Sequence, residues 1–150
     1  MTTDYQTRRG TEADWDFLLL LHERSMRPHV EAQFGAWEPK DQEDQFRATT
    51  DPSEHQILLI QDRPVGCAQT KDEGDHIRLI RLYLMPEYQN RGIGSRFLKN
   101  LCREADTSHK AVCLRALRVN RVAGLYVRLG FEFTDETETH IYMERPPTSA

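Results

Sequence analysis

The sequence has no long apolar run, and this argues against a membrane-spanning protein. No stretch approaches the roughly 20 apolar residues that a helix needs to span a bilayer. Residues Met1 to Gly10 are polar and charged rather than apolar. We therefore expect a cytoplasmic protein with no membrane partner.

Cysteine is scarce, and its spacing argues against disulfides and metal binding. Cys67, Cys102 and Cys113 are odd in number, form no CxxC pair and have no histidine at the spacing of a metal ligand. We expect three buried thiols and no metal site.

Positive charge is not in excess. The chain has 20 Lys and Arg against 24 Asp and Glu, a formal net charge of −4 at pH 7. This balance lacks the basic footprint of a nucleic-acid-binding protein, so we expect no nucleic-acid partner. Any anionic ligand would then have to be held by local features of the chain.

The elements that are present indicate one α+β domain over residues 1–145, followed by a flexible tail at 146–150. Thr11 and Asp14 give a capping signal for a first helix. From Pro28 to Pro52 the helical pattern weakens to broken helix plus loop. A further helix is predicted from Arg96 to Ala105 and another from Asn120 to Leu129. The predicted strands are Tyr5–Arg9, Gln56–Ile60, Val65–Lys71, His76–Met85, Ala111–Leu117, and Phe131 with His140–Met143.

The most informative segment is the glycine loop, Gln89–Ser95, which lies between a predicted strand and a predicted helix. Free N–H groups at a helix start bind phosphate, and glycines allow its close approach. A dinucleotide-binding fingerprint would need a third small residue at Phe97, and a Walker loop would need lysine at Ser95. The loop therefore predicts a different binder of phosphate or pyrophosphate.

Two segments resemble GNAT-family N-acetyltransferases. Leu84–Gly94 is similar to the family's acyl-CoA motif, and Asn120–Phe131 is similar to its asparagine-to-tyrosine helix, which ends in Gly-Phe. The resemblance implies a mostly antiparallel, twisted sheet of about six to seven strands, flanked by about four helices. It also implies that the sheet is splayed at the strand that precedes the glycine loop.

The resemblance implies an enzyme that transfers an acetyl group from acetyl-CoA to a primary amine, by direct attack in a ternary complex. The acceptor would be a small molecule or peptide, and the chain a monomer or homodimer. Backbone N–H groups from Asn90 to Ser95 would hold the CoA pyrophosphate, and the end of the strand would pair with the pantetheine arm. The implied cofactor-binding residues are Leu82, Tyr83, Leu84, Gln89, Asn90, Arg91, Gly92, Ile93, Gly94, Ser95 and Asn120.

The same resemblance assigns two catalytic groups. Tyr126 would protonate the departing thiolate, a transfer from a group near 10 to one near 8.5 that is uphill by roughly 2 kcal/mol. The backbone N–H of Leu84 would stabilise the oxyanion. Core packing is the other interpretation of Tyr126, and a helix N-cap that of Asn120.

The general base is not identified, because the strand where many relatives place a carboxylate carries Arg78, Arg81 and Tyr83. Glu31, Glu138 and His140 are candidates from other elements. This departure from the family pattern leaves open a non-catalytic acyl-CoA-binding or regulatory module.

The acceptor is not identified either. An arginine of the strand could bind an acceptor carboxylate, although Arg78 and Arg81 have opposite parity and at most one should face a cleft. By analogy with the family, the segment Met26–Trp37 would line the acceptor entrance. Phe34 or Trp37 could wall that pocket, or both could be ordinary packing residues.

Overall fold

The structure is a computed structural model that describes residues 4–118 and 123–148. Three short 3-10 helices accompany the helices and strands, at Glu12–Asp14, Pro52–Glu54 and Pro86–Tyr88. The strands are β1 (Gln6–Arg9), β2 (Gln56–Ile60), β3 (Arg63–Asp72), β4 (His76–Leu84), β5 (Ala111–Leu117), β6 (Glu132–Glu136) and β7 (His140–Arg145). The helices are α1 (Trp15–Phe34), α2 (Pro39–Thr49), α3 (Ile93–Thr107) and α4 (Ala123–Arg128).

The strands form a mixed seven-stranded sheet in the order β1-β2-β3-β4-β5-β7-β6. Antiparallel ladders join β1 to β2, β2 to β3, β5 to β7 and β6 to β7. Strands β4 and β5 are parallel, with α3 between them in the chain as the crossover that a parallel pair requires. The predicted α+β fold with a mostly antiparallel sheet is thus confirmed.

The parallel ladder between β4 and β5 is short. It joins His76–Leu79 to Ala111–Leu114. Strand β4 continues from Ile80 to Leu84 beyond this ladder.

The chain separates into two compact units. One comprises the described residues within 1–69 and 81–93, and the other comprises those within 70–80 and 94–150. Strands β3 and β4 each contribute residues to both units.

The core of the first unit forms where the apolar stripe of α1 meets α2, β2 and β3. Leu18, Leu21, Phe46, Ile57 and Cys67 are its buried members. The prediction that the helix breaks at Pro28 is wrong, because α1 continues through this exposed proline to Phe34. A proline within a helix removes one backbone donor and crowds the carbonyl four residues earlier, and the buried leucines of the preceding turns offset this cost. The helix ends at Gly35 with φ of 89°, a left-handed conformation that favours glycine.

The core of the second unit is built on α3, whose apolar positions recur at helical spacing. Phe97, Leu98, Leu101 and Ala105 are buried. The helix begins at Ile93, three residues before the predicted start at Arg96. Asp106 near its end forms an ion pair of 2.8 Å with Arg145 and accepts a hydrogen bond from the backbone of Thr148.

Two of the three predicted buried thiols, Cys67 and Cys102, are buried, whereas Cys113 is half-buried, and all three are free. Within the described ranges, the helices include none that is long and apolar enough to cross a membrane. The same ranges contain no group of His, Cys, Asp and Glu side chains arranged to hold a metal ion.

Burial of Cys67 predicts a loss of stability in alkali. Burial raises the pKa of the Cys67 thiol to about 12 and the pKa of the Tyr83 phenol to about 12. Between their ordinary values and about 12, the unfolded chain releases protons that the folded chain retains, so the free energy of unfolding falls as pH rises. We expect this fall to begin near pH ~9 in the wild type and to be weaker between pH ~9 and ~10 in Cys67→Ala. Urea titrations across this range measure it, and equal slopes for the two proteins would contradict it.

Candidate functional site

The backbone at the end of β4 is held by three other segments of the first unit. The Leu84 carbonyl accepts a hydrogen bond of 2.9 Å from Gln89 Nε2 and one of 3.4 Å from the Ser25 hydroxyl on α1. The next residue, Met85, donates its N–H to the Val65 carbonyl of β3 at 2.8 Å. The position of Leu84 is therefore fixed by β3, by α1 and by the loop that follows β4.

Gly66 on β3 allows this close packing. A Cβ at this position would lie 2.4 Å from the Tyr83 carbonyl oxygen and 2.7 Å from the Leu84 Cδ2 atom. Real Cβ atoms essentially never approach backbone oxygen so closely, so the two strands would have to separate. The glycine is thus required by the arrangement at the end of β4.

The glycine loop has two residues in left-handed conformations. Asn90 has φ of 60° and Gly92 has φ of 85°, and α3 begins directly afterwards at Ile93. Ile93 is buried and anchors the start of the helix. Because α3 starts there, Gly94 belongs to the first helical turn, whose N–H groups have no carbonyl partner within the helix.

Ser95 also belongs to this first turn, while Arg91 and Gln89 lie in the exposed loop before it. The Arg91 guanidinium lies 5.3 Å from the centre of the Tyr88 ring. The Gln89 side chain bonds to Leu84, as described above, and so closes the loop onto the end of β4. The sequence predicted a loop from Gln89 to Ser95, whereas the structure places Ile93, Gly94 and Ser95 in α3. The Gln89 contact was not predicted.

Tyr126 lies in α4, whose C-terminus is closed by two backbone hydrogen bonds. The Gly130 N–H donates to the Val127 carbonyl and the Phe131 N–H to the Tyr126 carbonyl, both at 3.0 Å. Gly130 has φ of 100°, so this is the Schellman arrangement that a glycine after a helix permits.

The rings of Tyr126 and Phe131 are 5.5 Å apart in an edge-to-face contact. Burial raises the pKa of Tyr126 to about 12, and the phenol is protonated at neutral pH. The predicted site residue Asn120 lies outside the described residues.

An aromatic cluster in the first unit was not predicted from the sequence. The His22 ring stacks on Phe46 at 4.5 Å and also contacts Trp37 at 5.5 Å and Tyr83 at 6.0 Å. His22 Nε2 lies 3.3 Å from Gln42 Oε1, which can only accept, so Nε2 carries the proton. The Nδ1 atom is buried and has no hydrogen-bond partner in the part of the chain that the structure describes. The sequence signal was present, since His22 falls on the apolar face of α1, but it does not reveal the partners.

The two candidate pocket walls differ in exposure. Trp37 is buried against His22, whereas Phe34 at the end of α1 is 57% exposed. Burial lowers the pKa of His22 and keeps the imidazole neutral at pH 7.

The two arginines of β4 have different surroundings, in agreement with their opposite parity. Arg78 is exposed and forms an ion pair of 3.1 Å with Glu73. Arg81 is half-buried and donates a hydrogen bond of 3.0 Å to the Thr50 hydroxyl.

The three side chains considered as a general base have ordinary contacts. Glu31 forms an ion pair of 3.5 Å with Arg27. His140 Nδ1 lies 2.8 Å from the Thr139 hydroxyl, and Glu138 is exposed. None of these contacts identifies a base.

Comparison with known proteins identifies the class to which this fold and loop belong. A family model described as an acetyltransferase (GNAT) domain matches residues 52–133, more than half of the chain. The chain belongs to the GNAT acetyltransferase family, as the resemblance of its two motifs predicted. Membership of this family supports acyl transfer as the general activity.

Solved structures with the same fold extend over nearly the full chain. The PaiA N-acetyltransferase of Thermoplasma acidophilum, in complex with coenzyme A, has a TM-score of 0.76 at 19% identity, over 95% of this chain and 99% of that one. The ribosomal-protein-S18-alanine N-acetyltransferase of Escherichia coli has a TM-score of 0.70 at 19% identity, over 98% and 96%. At this level of identity the similarity shows the fold.

A third similar structure belongs to a longer protein. The N-acetylglutamate synthase of Neisseria gonorrhoeae, complexed with coenzyme A and N-acetyl-glutamate, has a TM-score of 0.64 at 18% identity. The similarity covers 99% of this chain and 36% of that one. No curated protein sequence matches the chain significantly.

Proposed function

We propose that this protein transfers an acetyl group from acetyl-CoA to a primary amine, by direct attack in a ternary complex. One observation carries the proposal. Strand β4 leads through a loop with left-handed residues at Asn90 and Gly92 directly into the first turn of α3. A loop of this kind in a member of the acetyltransferase family, some of whose solved relatives hold coenzyme A, fits a CoA cradle.

The residues present suit the two parts of the CoA molecule. The backbone N–H groups of Asn90–Ser95 would hold the pyrophosphate, because the N-terminus of α3 concentrates unpaired donors and partial positive charge. The backbone of Leu82–Leu84 would pair with the pantetheine arm. The ladder from β4 to β5 ends at Leu79, so it does not use the backbone N–H and C=O groups of Leu82, Tyr83 and Leu84.

We assign protonation of the departing thiolate to Tyr126. Its pKa of about 12 keeps the phenol protonated at working pH, as a proton donor must be. Transfer to a thiol of ordinary pKa near 8.5 would be uphill by roughly 5 kcal/mol, more than an unperturbed tyrosine would require. The transfer is less uphill in a dry site, where desolvation also raises the pKa of the thiol.

We assign stabilisation of the developing oxyanion to the backbone N–H of Leu84, because a fixed backbone donor stabilises charge without reorganising. The hydrogen bonds from Gln89, from Ser25 and to Val65 support this assignment, because they hold the backbone around this N–H in one position. The amine must reach the thioester in its neutral form, and no base is assigned.

A thiol-release assay tests the proposed function. The chain is incubated with acetyl-CoA and a panel of amino acids, polyamines, aminoglycosides and peptide N-termini, and CoA release is followed. Acceptor-dependent release supports the proposal, and the acetylated amine identifies the substrate.

A non-catalytic acyl-CoA-binding or regulatory module is the alternative. The observation that favours it is the composition of β4, where Arg78 and Arg81 occupy positions on the strand that carries a carboxylate in many relatives. Tight binding of acetyl-CoA without turnover of any amine in the panel would favour this module over the enzyme.

The conformation of Gly92 yields a test of the CoA cradle. Its φ of 85° is costly for a residue with a Cβ, by about 1–2 kcal/mol. We expect Gly92→Ala to raise the dissociation constant of CoA about tenfold, because the loop shifts away from the conformation that presents its N–H groups. Titration calorimetry with CoA measures this change.

The control is Gly35→Ala at the end of α1. Gly35 has φ of 89°, and no atom of residues 4–118 and 123–148 lies within 4 Å of an added Cβ, so the substitution imposes similar strain outside the loop. CoA affinity should be unchanged in this variant. An equal loss of affinity in both variants would argue against the cradle.

A further inference from the structure

Arg81 lies on β4, three residues before Leu84, in the first unit. Its Nη1 atom donates to the Thr50 hydroxyl at 3.0 Å and lies 3.3 Å from His55 Nε2. The guanidinium lies 4.7 Å from the centre of the Phe46 ring. The His55 Nδ1 atom lies 2.9 Å from the Asp51 carbonyl, so it carries the proton, and Nε2 accepts from Arg81.

These partners are all uncharged. The arginines Arg8, Arg78 and Arg145 each form an ion pair with a carboxylate, and Arg81 forms none among the described residues. The Tyr83 phenol is also close, and burial raises its pKa to about 12, so it is neutral too. Buried charges are normally paired, because removing a cation from water without a counterion is costly, and the half-buried Arg81 bears part of this cost.

The end of α2 offsets only part of this cost. Thr50 is the C-cap of α2, and a helix C-terminus carries roughly half a negative charge. This partial charge favours a cation at Arg81, but it is smaller than the full positive charge of the guanidinium, so the site remains net positive.

The hydrogen bonds to Thr50 and His55 leave part of the guanidinium for a ligand, because both use Nη1. The Tyr83 phenol also hydrogen-bonds to the guanidinium, and it is a neutral partner. Nε and Nη2 are not among the fully buried polar atoms that lack a partner within the described residues. These two nitrogens form the planar fork that binds a carboxylate through two parallel hydrogen bonds.

We propose that Arg81 binds a carboxylate of the acceptor, so that the substrates of this protein are amines that carry a carboxylate. The proposal rests on the proposed function, since it names the substrate class of the same reaction. Strand residues advance by about 3.3 Å, which places the Arg81 backbone about 10 Å from Leu84. The distance between amine and carboxylate in the acceptor would then be set by the separation between the Arg81 guanidinium and Leu84.

The test uses matched pairs of ligands that differ only in charge. The probes are the common L-amino acids and a series of ω-amino acids from glycine to 6-aminohexanoate, each compared with its own carboxamide. Binding in the presence of CoA is measured by calorimetry, and turnover is measured by thiol release. For wild type we expect one or more acids to be favoured over their amides by about 10- to 100-fold, the contribution of hydrogen bonds between charged groups.

Two variants and a control separate recognition from structure. In Arg81→Met the dissociation constants of the acid and its amide should agree within about twofold. Arg81→Lys should retain an intermediate preference for the acid, because lysine keeps the charge but cannot form the two parallel hydrogen bonds of a guanidinium. A purely structural role would weaken acid and amide equally and leave their ratio unchanged. Arg78→Met removes an exposed arginine of the same strand that already has a carboxylate partner, and the ratio should not change.

The possible failures are distinguishable. If no probe is acetylated but an acid binds through Arg81, the proposed acetyl transfer fails and the carboxylate site stands. If amines are acetylated with no preference for acids, or with a preference that survives Arg81→Met, the carboxylate site is overturned and acetyl transfer stands. Failure of every amino acid to bind also overturns the carboxylate site.

Discussion

Replacing Tyr126 by phenylalanine is expected to lower kcat by about 10²-fold or more, while the dissociation constant of CoA stays within about twofold of the wild-type value. The substitution removes only the hydroxyl, and the edge-to-face contact with Phe131 does not depend on that group. Loss of the proton donor leaves the thiolate to depart unprotonated, which slows the chemical step without weakening binding. Steady-state kinetics with a good acceptor, together with calorimetry of CoA binding, measure both quantities.

The control for this variant is Tyr142→Phe. Tyr142 lies in β7, is half-buried and has no role in the proposed reaction. Its kcat should remain at the wild-type level. If Tyr126→Phe also turns over at the wild-type rate, Tyr126 is a packing residue and the proton comes from another group or from water.

Replacing Gly66 by alanine is expected to lower the free energy of unfolding by about 3 kcal/mol, the upper end of the usual cost of overpacking. The added methyl group would lie 2.4 Å from the Tyr83 carbonyl oxygen, which is backbone and cannot rotate away. Strands β3 and β4 would have to separate where Met85 bonds to Val65. Urea denaturation measures the change, and the apparent melting temperature should fall by about 10 °C.

Gly124→Ala is the matched control, because it makes the same chemical change in a site with space. Among the described residues, an added Cβ at Gly124 meets the end of the Arg128 side chain at 3.6 Å and no other atom within 4 Å. Alanine favours a helix over glycine by up to about 1 kcal/mol, so this variant should be as stable as wild type or more stable. Equal stability of Gly66→Ala and wild type would mean that the strands separate at no cost, which would contradict the account of Gly66.

Several elements could be predicted from the sequence because their signals are local. The predicted bounds Ala111–Leu117 of β5 and Gln56–Ile60 of β2 agree with the structure. Gly130 was expected after a helix and has the left-handed conformation that ends α4. Each of these signals depends on residues that are neighbours in the chain.

Other boundaries were predicted wrongly because tertiary packing outweighed the local signal. Pro28 is a helix breaker by propensity, but α1 continues through it. The apolar stripe of this helix is buried at Leu18 and Leu21, and this burial stabilises the helix. The start of α3 was placed too late, because glycine at position 94 indicates a loop. Burial of Ile93 instead extends the helix to that residue.

The sequence by itself determined the family and, with it, the donor side of the proposed reaction. This was possible because the end of β4, the glycine loop and the start of α3 are continuous in the chain, so their order and spacing are visible as letters. Only the tertiary structure decided the surroundings of Arg81, which come from α2, from His55 and from the strand itself. Such contacts join residues far apart in the chain, and charge pairing depends on which side chains packing brings together. For this reason the sequence raised an acceptor carboxylate for either arginine of β4, and only the folded protein favours Arg81 over Arg78.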